Sequence, residues 1–517
     1  MTARLLVADL LGAGASPALA RRAALAGDGW SVSFGELEED ARRWQRLIRE
    51  SGVGRGERIA ILAGNGPAYL SMLFGASLSG AAVVLLNTRL DPASVRYQLA
   101  DSQARLVVID PAHHGLAAAS GALDLPAVTL DDDHRERFKR IEPAPAQAAR
   151  PDPEGPFIQL YTSGTTGRPK GCVLSQRAWV ASAANLAAGL GLTQADVHVG
   201  AGPFFHVAGL GTAMSVLSAG GRVVFGSARS LDESWDLVGR HGVTIGTFVG
   251  GGAVRAARHP MSATHSKSVR ILTGQAGKHT PAEHEEIAEL LPHAEYAGIY
   301  GSTEAGNFVT VSTRAQEVAR PGTIGRPLSG FRAAVVGPDD RPLPPGKAGE
   351  AGEAGEAGEL ALRGSSVMSE YWRLPDATAE TLRNGWLHTG DVMRMDDDGY
   401  LYMLDRLKDI VKPGGENVYS IEVEQVLRLH PAVSDCAVIG VPDDRWGEGV
   451  KAVVVAPGGV GVASLDAWCL ERLAAYKRPR WYELVDALPA NGAKIDKKRL
   501  RASHDPRSSI RLRERDR

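Results

Sequence analysis

Residues 59–87 read IAILAGNGPAYLSMLFGASLSGAAVVLLN, 29 positions without a charge. A membrane span needs about 20 mainly apolar residues without interruption. Here Gly64-Asn65-Gly66-Pro67 and Gly80 cut the run into three pieces. The outer pieces are short and rich in Val, Ile and Leu, and the middle one has the length of a helix. A strand, a helix and a strand fit, because parallel strands covered on both faces read as continuous apolar stretches. A second uncharged run, 199–221, holds Gly200, Gly202, Pro203, Gly209 and Gly211 and reads the same way.

Outward from there the pattern repeats. Short apolar runs at 58–62, 81–86, 106–109, 222–225 and 244–249 predict strands, and 91–102 and 231–240 predict helices. Asp91-Pro92 supplies an N-cap followed by proline at the first helical position. The alternation predicts an α/β fold: a large N-terminal domain of several subdomains with mostly parallel sheets, residues 1–405. Beyond it, helices at 421–430 and 464–473 and strands at 433–441 and 449–456 predict a small α+β domain, 406–502, and then a polar, solvated tail, 503–517. Ala-Gly-Glu is repeated four times over 348–359. A glycine at every third position weakens a helix, so a surface loop is expected.

At about 150 residues per domain, 517 residues suggest three or so folding units. Lys+Arg 58 against Asp+Glu 60 gives a net charge of −2, without the basic excess of a nucleic-acid binder. Three cysteines form neither a disulfide framework nor a metal-ligand spacing, which fits a reducing, cytoplasmic setting. Asp9 interrupts the only stretch that looks like a signal peptide, and no membrane partner is expected.

Four segments carry chemistry. YTSGTTGRPKG at 161–171 packs four Ser/Thr hydroxyls, three glycines and a lysine between apolar strands. Glycines let backbone N–H groups curl around an anion and hydroxyls add donors, so this is a phosphate cradle, without Walker spacing. YGSTE at 300–304 sets a carboxylate beside hydroxyls, suiting Mg²⁺ or simply a helix start. GWLHTGD at 385–391, followed by LDRLKDIVKPGGEN at 404–417, ends in a loop acid able to accept from vicinal hydroxyls. NGAKIDK at 491–497 carries a loop lysine that either reaches a distant site or is solvated.

In this order, and with PFFHVAGL at 203–210 and PGTIGRP at 321–327, the segments resemble the adenylate-forming superfamily over about residues 24–501, most closely its acyl-CoA synthetases. The resemblance implies that a carboxylic acid and ATP form an acyl-adenylate, releasing pyrophosphate, and that the acyl group passes to the thiol of coenzyme A. It implies that Thr162, Ser163, Gly164, Thr165, Thr166, Gly167 and Lys170 wrap the phosphates, and that Thr165 and Glu304 help hold Mg²⁺. Asp391 and Arg406 would bind the ribose. Gly274, Gln275 and Ala276 with Gly298 and Tyr300 would form the adenine slot, continued by Gly301, Ser302 and Thr303. Lys494 would stabilise the pentavalent phosphorus, and the small mobile domain would pivot at Lys408, bringing Gly414 and Gly415 to the thiol tunnel. Phe205, His206, Phe248, Gly250 and Gly251 would line the acyl pocket, where three glycines in a row leave room for a bulky, ring-bearing acid. A homodimer is the implied assembly. Three positions depart from the family pattern: Gln176 replaces a His, and Glu370 and Ala493 replace glycines. Ala493 reaches fewer backbone conformations than glycine, so it is expected to restrict how Lys494 enters the site. The same fold restricted to one half-reaction, or loading a carrier-protein thiol, is the alternative.

Overall fold

The computed structural model describes residues 5–12, 16–146, 150–162, 168–226, 228, 230–248, 252–347, 355–491, 494–505, 507 and 509–511, with the side chains of Ala490, Asn491 and Lys494 left out. The decisive stretch folds as its punctuation requires. Strand Arg58–Leu62 leads through Gly66 and Pro67, the N-cap and first residue of helix Pro67–Ser79. That helix ends at Gly80, in the left-handed region at φ 78°, and strand Ala82–Leu85 returns beside the first, parallel to it. The breaks that exclude a membrane span are therefore helix caps. The helix is apolar all round and buried. Its Gly75 meets helix Phe34–Glu50 so closely that a Cβ there would lie 2.3 Å from the Cβ of Trp44.

Two mainly parallel sheets fill the large domain. One has seven strands, with Pro156–Thr162 and Lys170–Ser175 forming an antiparallel pair near one edge. The other has nine, including the parallel neighbours Ile271–Gln275 and Glu295–Ser302. A four-stranded antiparallel sheet follows, closed by Leu387–Met395 and Leu401–Arg406. The small domain packs helices Ser420–Arg428 and Val462–Leu470 around a sheet of Asp435–Asp443, Gly447–Val455, Trp481–Leu484 and Ile510–Arg511. It is tied to the large domain at Asp405, a buried carboxylate that accepts from the backbone N–H and hydroxyl of Ser420. Lys497 in turn donates to the Ser420 hydroxyl at 2.6 Å and pairs with Glu424 at 2.7 Å.

The described residues of the expected tail, 503–505, 507 and 509–511, are mostly exposed, and they also make specific contacts. Ile510–Arg511 adds an edge strand to Trp481–Leu484, and Arg511 pairs at 2.9 Å with the fully buried Asp443 carboxylate. The buried Lys451 ammonium lies 2.6 Å from Glu483 and 3.0 Å from His504 Nδ1. A desolvated charge needs partners, and here the polar end of the chain supplies one to each, Arg511 to Asp443 and His504 to Lys451.

His198, on the strand Val197–Val199, is a core histidine whose Nδ1 faces the Ile245 carbonyl at 3.3 Å. Burial pushes its pKa from 6.5 down to about 4. The folded protein therefore holds this ring neutral where the unfolded chain protonates it, so its stabilising contribution is full above pH 6.5 and is lost as pH falls towards 4. The shift corresponds to about 3 kcal/mol. His134 and His279 are pushed down by burial too and act in the same direction. Urea unfolding at pH 7 and pH 4 should show wild type losing about 3 kcal/mol more than His198→Leu does; equal losses would refute the assignment.

Candidate active site

The cradle segment joins the antiparallel strands Pro156–Thr162 and Lys170–Ser175, whose last register pair is Thr162 with Lys170. Ser163, Gly164, Thr165, Thr166 and Gly167 lie outside the described residues. One flanking residue, Thr162, already reaches the predicted acid. The Thr162 hydroxyl donates to Glu304 Oε1 at 3.1 Å and the Tyr371 hydroxyl to the same oxygen at 2.9 Å. Lys170 Nζ stands 4.3 Å from the centre of the Tyr371 ring. Burial, and then the Glu304 charge, push the Tyr371 phenol far up, so it stays a donor. Cys172 next door is held as a thiol for the same two reasons, which leaves it no nucleophilic role. Tyr371 comes from the short strand Glu370–Tyr371 paired onto Lys170–Ser175, so Glu370 stands in regular pairing where the family pattern has glycine.

Glu304 lies two residues beyond the end of strand Glu295–Ser302. A bulge between Tyr300 and Gly301 turns the chain there, and a Cβ on Gly301 would lie 2.0 Å from the Asn307 carbonyl. Four residues before Glu304, the Tyr300 hydroxyl donates to Asp391 Oδ2 at 2.6 Å. Asp391 and Arg406 are direct partners across adjacent strands, and Arg406 Nε lies 3.1 Å from Asp391 Oδ1. Asp391 raises the Arg406 pKa, and burial followed by Asp391 raises that of Tyr300. The Asp391 side chain is 2% exposed, yet Oδ1 receives no aligned hydrogen bond among the described residues. A buried acceptor left open beside a fixed cation suits a ligand's hydroxyl groups.

Residues Gly274, Gln275 and Ala276 run alongside Gly298 and Tyr300 in parallel register, with the Ala276 N–H donating to the Ile299 carbonyl at 3.2 Å. Ser302 and Thr303 close the turn, accepting from the backbone of Ala305 and Gly306. Thr162, Glu304 and the Asp391–Arg406 pair thus meet around one strand end.

The other predicted residues occupy separate places. Phe205 is buried and His206 is exposed at the N-cap of helix Val207–Ser218, their rings 4.8 Å apart. Phe248 is half-buried against Trp235 at 4.6 Å; Gly250 and Gly251 lie outside the described residues. Lys408 is exposed in a turn just after Arg406, where Leu407 N–H donates to the Gly390 carbonyl. Gly414 and Gly415 have φ of 61° and 89°, and a Cβ on Gly414 would strike the Trp446 ring at 2.7 Å. Lys494 pairs with Asn491 across a hairpin; Ala493 lies outside the described residues.

Three supports escaped the sequence reading. Asn65 donates to the Gly200 and Gly202 carbonyls and accepts from the Phe204 N–H, fixing the loop that carries Phe205 and His206. Glu359, the last acid of the Ala-Gly-Glu repeat, accepts from the Gly390 N–H at 2.8 Å and lies 2.9 Å from His388. It steadies the turn, at Gly390 φ 72°, that presents Asp391. Gln176, one of the departures, accepts from the Val7 N–H and the Ser77 hydroxyl in the core.

This geometry coincides with family membership. Residues 15–372 match the model described as AMP-binding enzyme, and 422–494 match AMP-binding enzyme C-terminal domain. The chain is an AMP-binding enzyme of the adenylate-forming superfamily. Similar curated proteins include a feruloyl-CoA synthase of Amycolatopsis sp, 37% identical over 476 residues, covering 90% of this chain and 92% of that one. A fatty acid–[acyl-carrier-protein] ligase, ScoC of Streptomyces coeruleorubidus, is 34% identical over 492 residues, covering 92% of each. Among solved structures, ATP-bound MatB from Rhodopseudomonas palustris superposes with a TM-score of 0.85 at 28% identity, over 96% of this chain and 99% of that one. The AMP-binding enzyme described here is an ATP-dependent acid–thiol ligase working through an acyl-adenylate. Among its described residues no helix is long and apolar enough to cross a membrane.

Proposed function

We propose that the enzyme converts a bulky, ring-bearing carboxylic acid into its coenzyme A thioester. The observation that carries the nucleotide half of this reading is the open, buried Asp391 Oδ1 beside Arg406, joined through Tyr300 to the paired glycine-bearing segments 274–276 and 298–300. Asp391 and Arg406 take the ribose hydroxyls, and the 274–276 and 298–300 segments flank the adenine. Thr162, Lys170 and the loop between them bind the phosphates. Glu304 and Thr165 would hold Mg²⁺ together with phosphate oxygens, and the ion would neutralise phosphate charge as the bond to pyrophosphate breaks. No three His, Cys, Asp or Glu side chains cluster for a metal among the described residues, which suits an ion shared with substrate phosphates.

A carboxylate is a poor electrophile. Attack of its oxygen on the α-phosphorus, with pyrophosphate leaving, makes a mixed anhydride whose good leaving group is AMP. Lys494 meets the charge that develops on phosphorus. The small domain then pivots at Lys408, and Gly414 and Gly415 shape the entry of the thiol.

The acid is read from Phe205, and from Phe248 on Trp235, together with the glycines that follow. The feruloyl-CoA synthase, a relative named for a ring-bearing acid, supports it. ScoC, named for an acyl-carrier protein, supports the second reading of the thiol acceptor. A carboxylic-acid panel, with pyrophosphate release and thioester formation read separately, tests both. Ring-bearing acids should exceed short linear ones by about tenfold or more in kcat/KM. Short linear acids in the lead would refute the pocket reading, and thioester on a carrier protein but not on coenzyme A would refute the acceptor.

A further inference from the structure

Behind the nucleotide slot lies a buried ionisable pair that the reaction itself does not use. Glu317, on the short helix Arg314–Ala319, is 1% exposed, and its Oε2 lies 3.0 Å from Nε2 of the fully buried His284. Its Oε1 accepts from the Ser312 hydroxyl. Both of the paired strands that carry the 274–276 and 298–300 segments rest on this cluster. Ser312 Oγ also lies 3.3 Å from the Gly298 carbonyl, within donating distance. The Tyr296 ring, 4.9 Å from His284 and 5.5 Å from His279, donates its hydroxyl to the Gln275 carbonyl at 3.0 Å. The cluster also fills the places where side chains would stand. A Cβ on Gly298 would lie 2.0 Å from Glu317 Oε1 and 2.9 Å from the Ala276 Cα, and one on Gly274 2.6 Å from the Tyr296 hydroxyl.

Burying a carboxylate is costly, and apolar residues of the same volume would pack the gap at least as well. This carboxylate instead sits directly behind Gly298. We propose that Glu317, held by His284 and Ser312, is the positioning residue that backs the paired 274–276 and 298–300 segments, fixing the surface they present and hence the enzyme's grip on adenine. The proposal rests on reading that slot as the adenine site.

The test uses the full-length enzyme with ATP, AMP, the acid and coenzyme A. Calorimetry first shows whether wild type binds AMP saturably; absence of binding would overturn the slot reading and this proposal with it. Given binding, Glu317→Gln should raise the ATP KM and the AMP Kd together by about tenfold, with the KM values for acid and coenzyme A within about twofold. Ser312→Ala, which leaves the His284–Glu317 pair in place, should raise the same two constants by about threefold and serves if the first variant does not fold. Unchanged ATP and AMP constants in the variant that folds would overturn the proposal while leaving the slot standing. A rise in all substrate constants alike would mark a general packing role and overturn it as well.

Discussion

Asp391→Ala is expected to cut adenylation by two to three orders of magnitude while leaving a folded protein. On the proposed ribose role, the variant loses a charged acceptor for two ligand hydroxyls, each such bond contributing about 1.5–3 kcal/mol. Even the lower figure, taken twice, gives about 3 kcal/mol, or about two orders of magnitude in kcat/KM for ATP. The effect on folding is smaller. Arg406 loses its partner, but its side chain is 39% exposed and water replaces much of the pairing. The Tyr300 hydroxyl loses the acceptor it holds at 2.6 Å, which costs about 1–3 kcal/mol for a buried group. Asp391→Asn keeps an acceptor for Tyr300 and should recover most of the stability but little of the activity. ATP–pyrophosphate exchange reads the first effect, and thermal unfolding with and without AMP reads the second. Wild type should gain stability with AMP by mass action and Asp391→Ala should not. Exchange within about fivefold of wild type would remove Asp391 from the nucleotide site.

Much of this arrangement was legible because it is local. Gly66-Pro67 and Gly80 punctuate the sequence as they cap the helix, and strand Arg58–Leu62 coincides with its apolar run. The helix predicted at 231–240 is Leu231–His241, and the strand predicted from 106 starts at Ala104, with only Arg105 facing out. The site motifs were legible for another reason: hydroxyls, glycines and single charges cluster within a few residues of one another. What escaped is long-range. Glu359 lies 31 residues from the Gly390 N–H it receives, inside a repeat whose composition masks it. Asn65 lies 135 residues and more from the loop it fixes. Glu317 finds its partner His284 33 residues away. The edge strand Ile510–Arg511 was hidden likewise, since its partners Asp443 and Trp481 belong to the interior of another segment. Periodicity and capping specify elements; which elements become neighbours is decided by burial that no short window contains.

Lys494→Ala should separate the two half-reactions. The lysine opens the second strand of a hairpin, Ala490–Asn491 with Lys494–Ile495, two residues before Asp496, which caps the helix Lys497–Ala502 by accepting from the Arg499 N–H. In the proposed mechanism its charge is needed only while the carboxylate attacks phosphorus, where the transition state carries more negative charge than the bound reactants. Removing one such preorganised donor costs about 3–4 kcal/mol, so pyrophosphate exchange should fall by two to three orders of magnitude. Transfer of the acyl group from a supplied acyl-adenylate to coenzyme A needs no such charge and should stay within about threefold. Equal losses in both assays would show that the lysine only holds the fold. The residue before it sharpens the test. If Ala493 limits the approach of Lys494, Ala493→Gly should speed exchange several-fold and leave transfer from the adenylate unchanged, because glycine opens backbone conformations closed to alanine. It should have no effect in the Lys494→Ala background, where there is no ammonium left to place. Exchange as fast with alanine as with glycine at 493 would mean that the native hairpin already delivers the lysine, and that this departure from the family pattern carries no kinetic penalty.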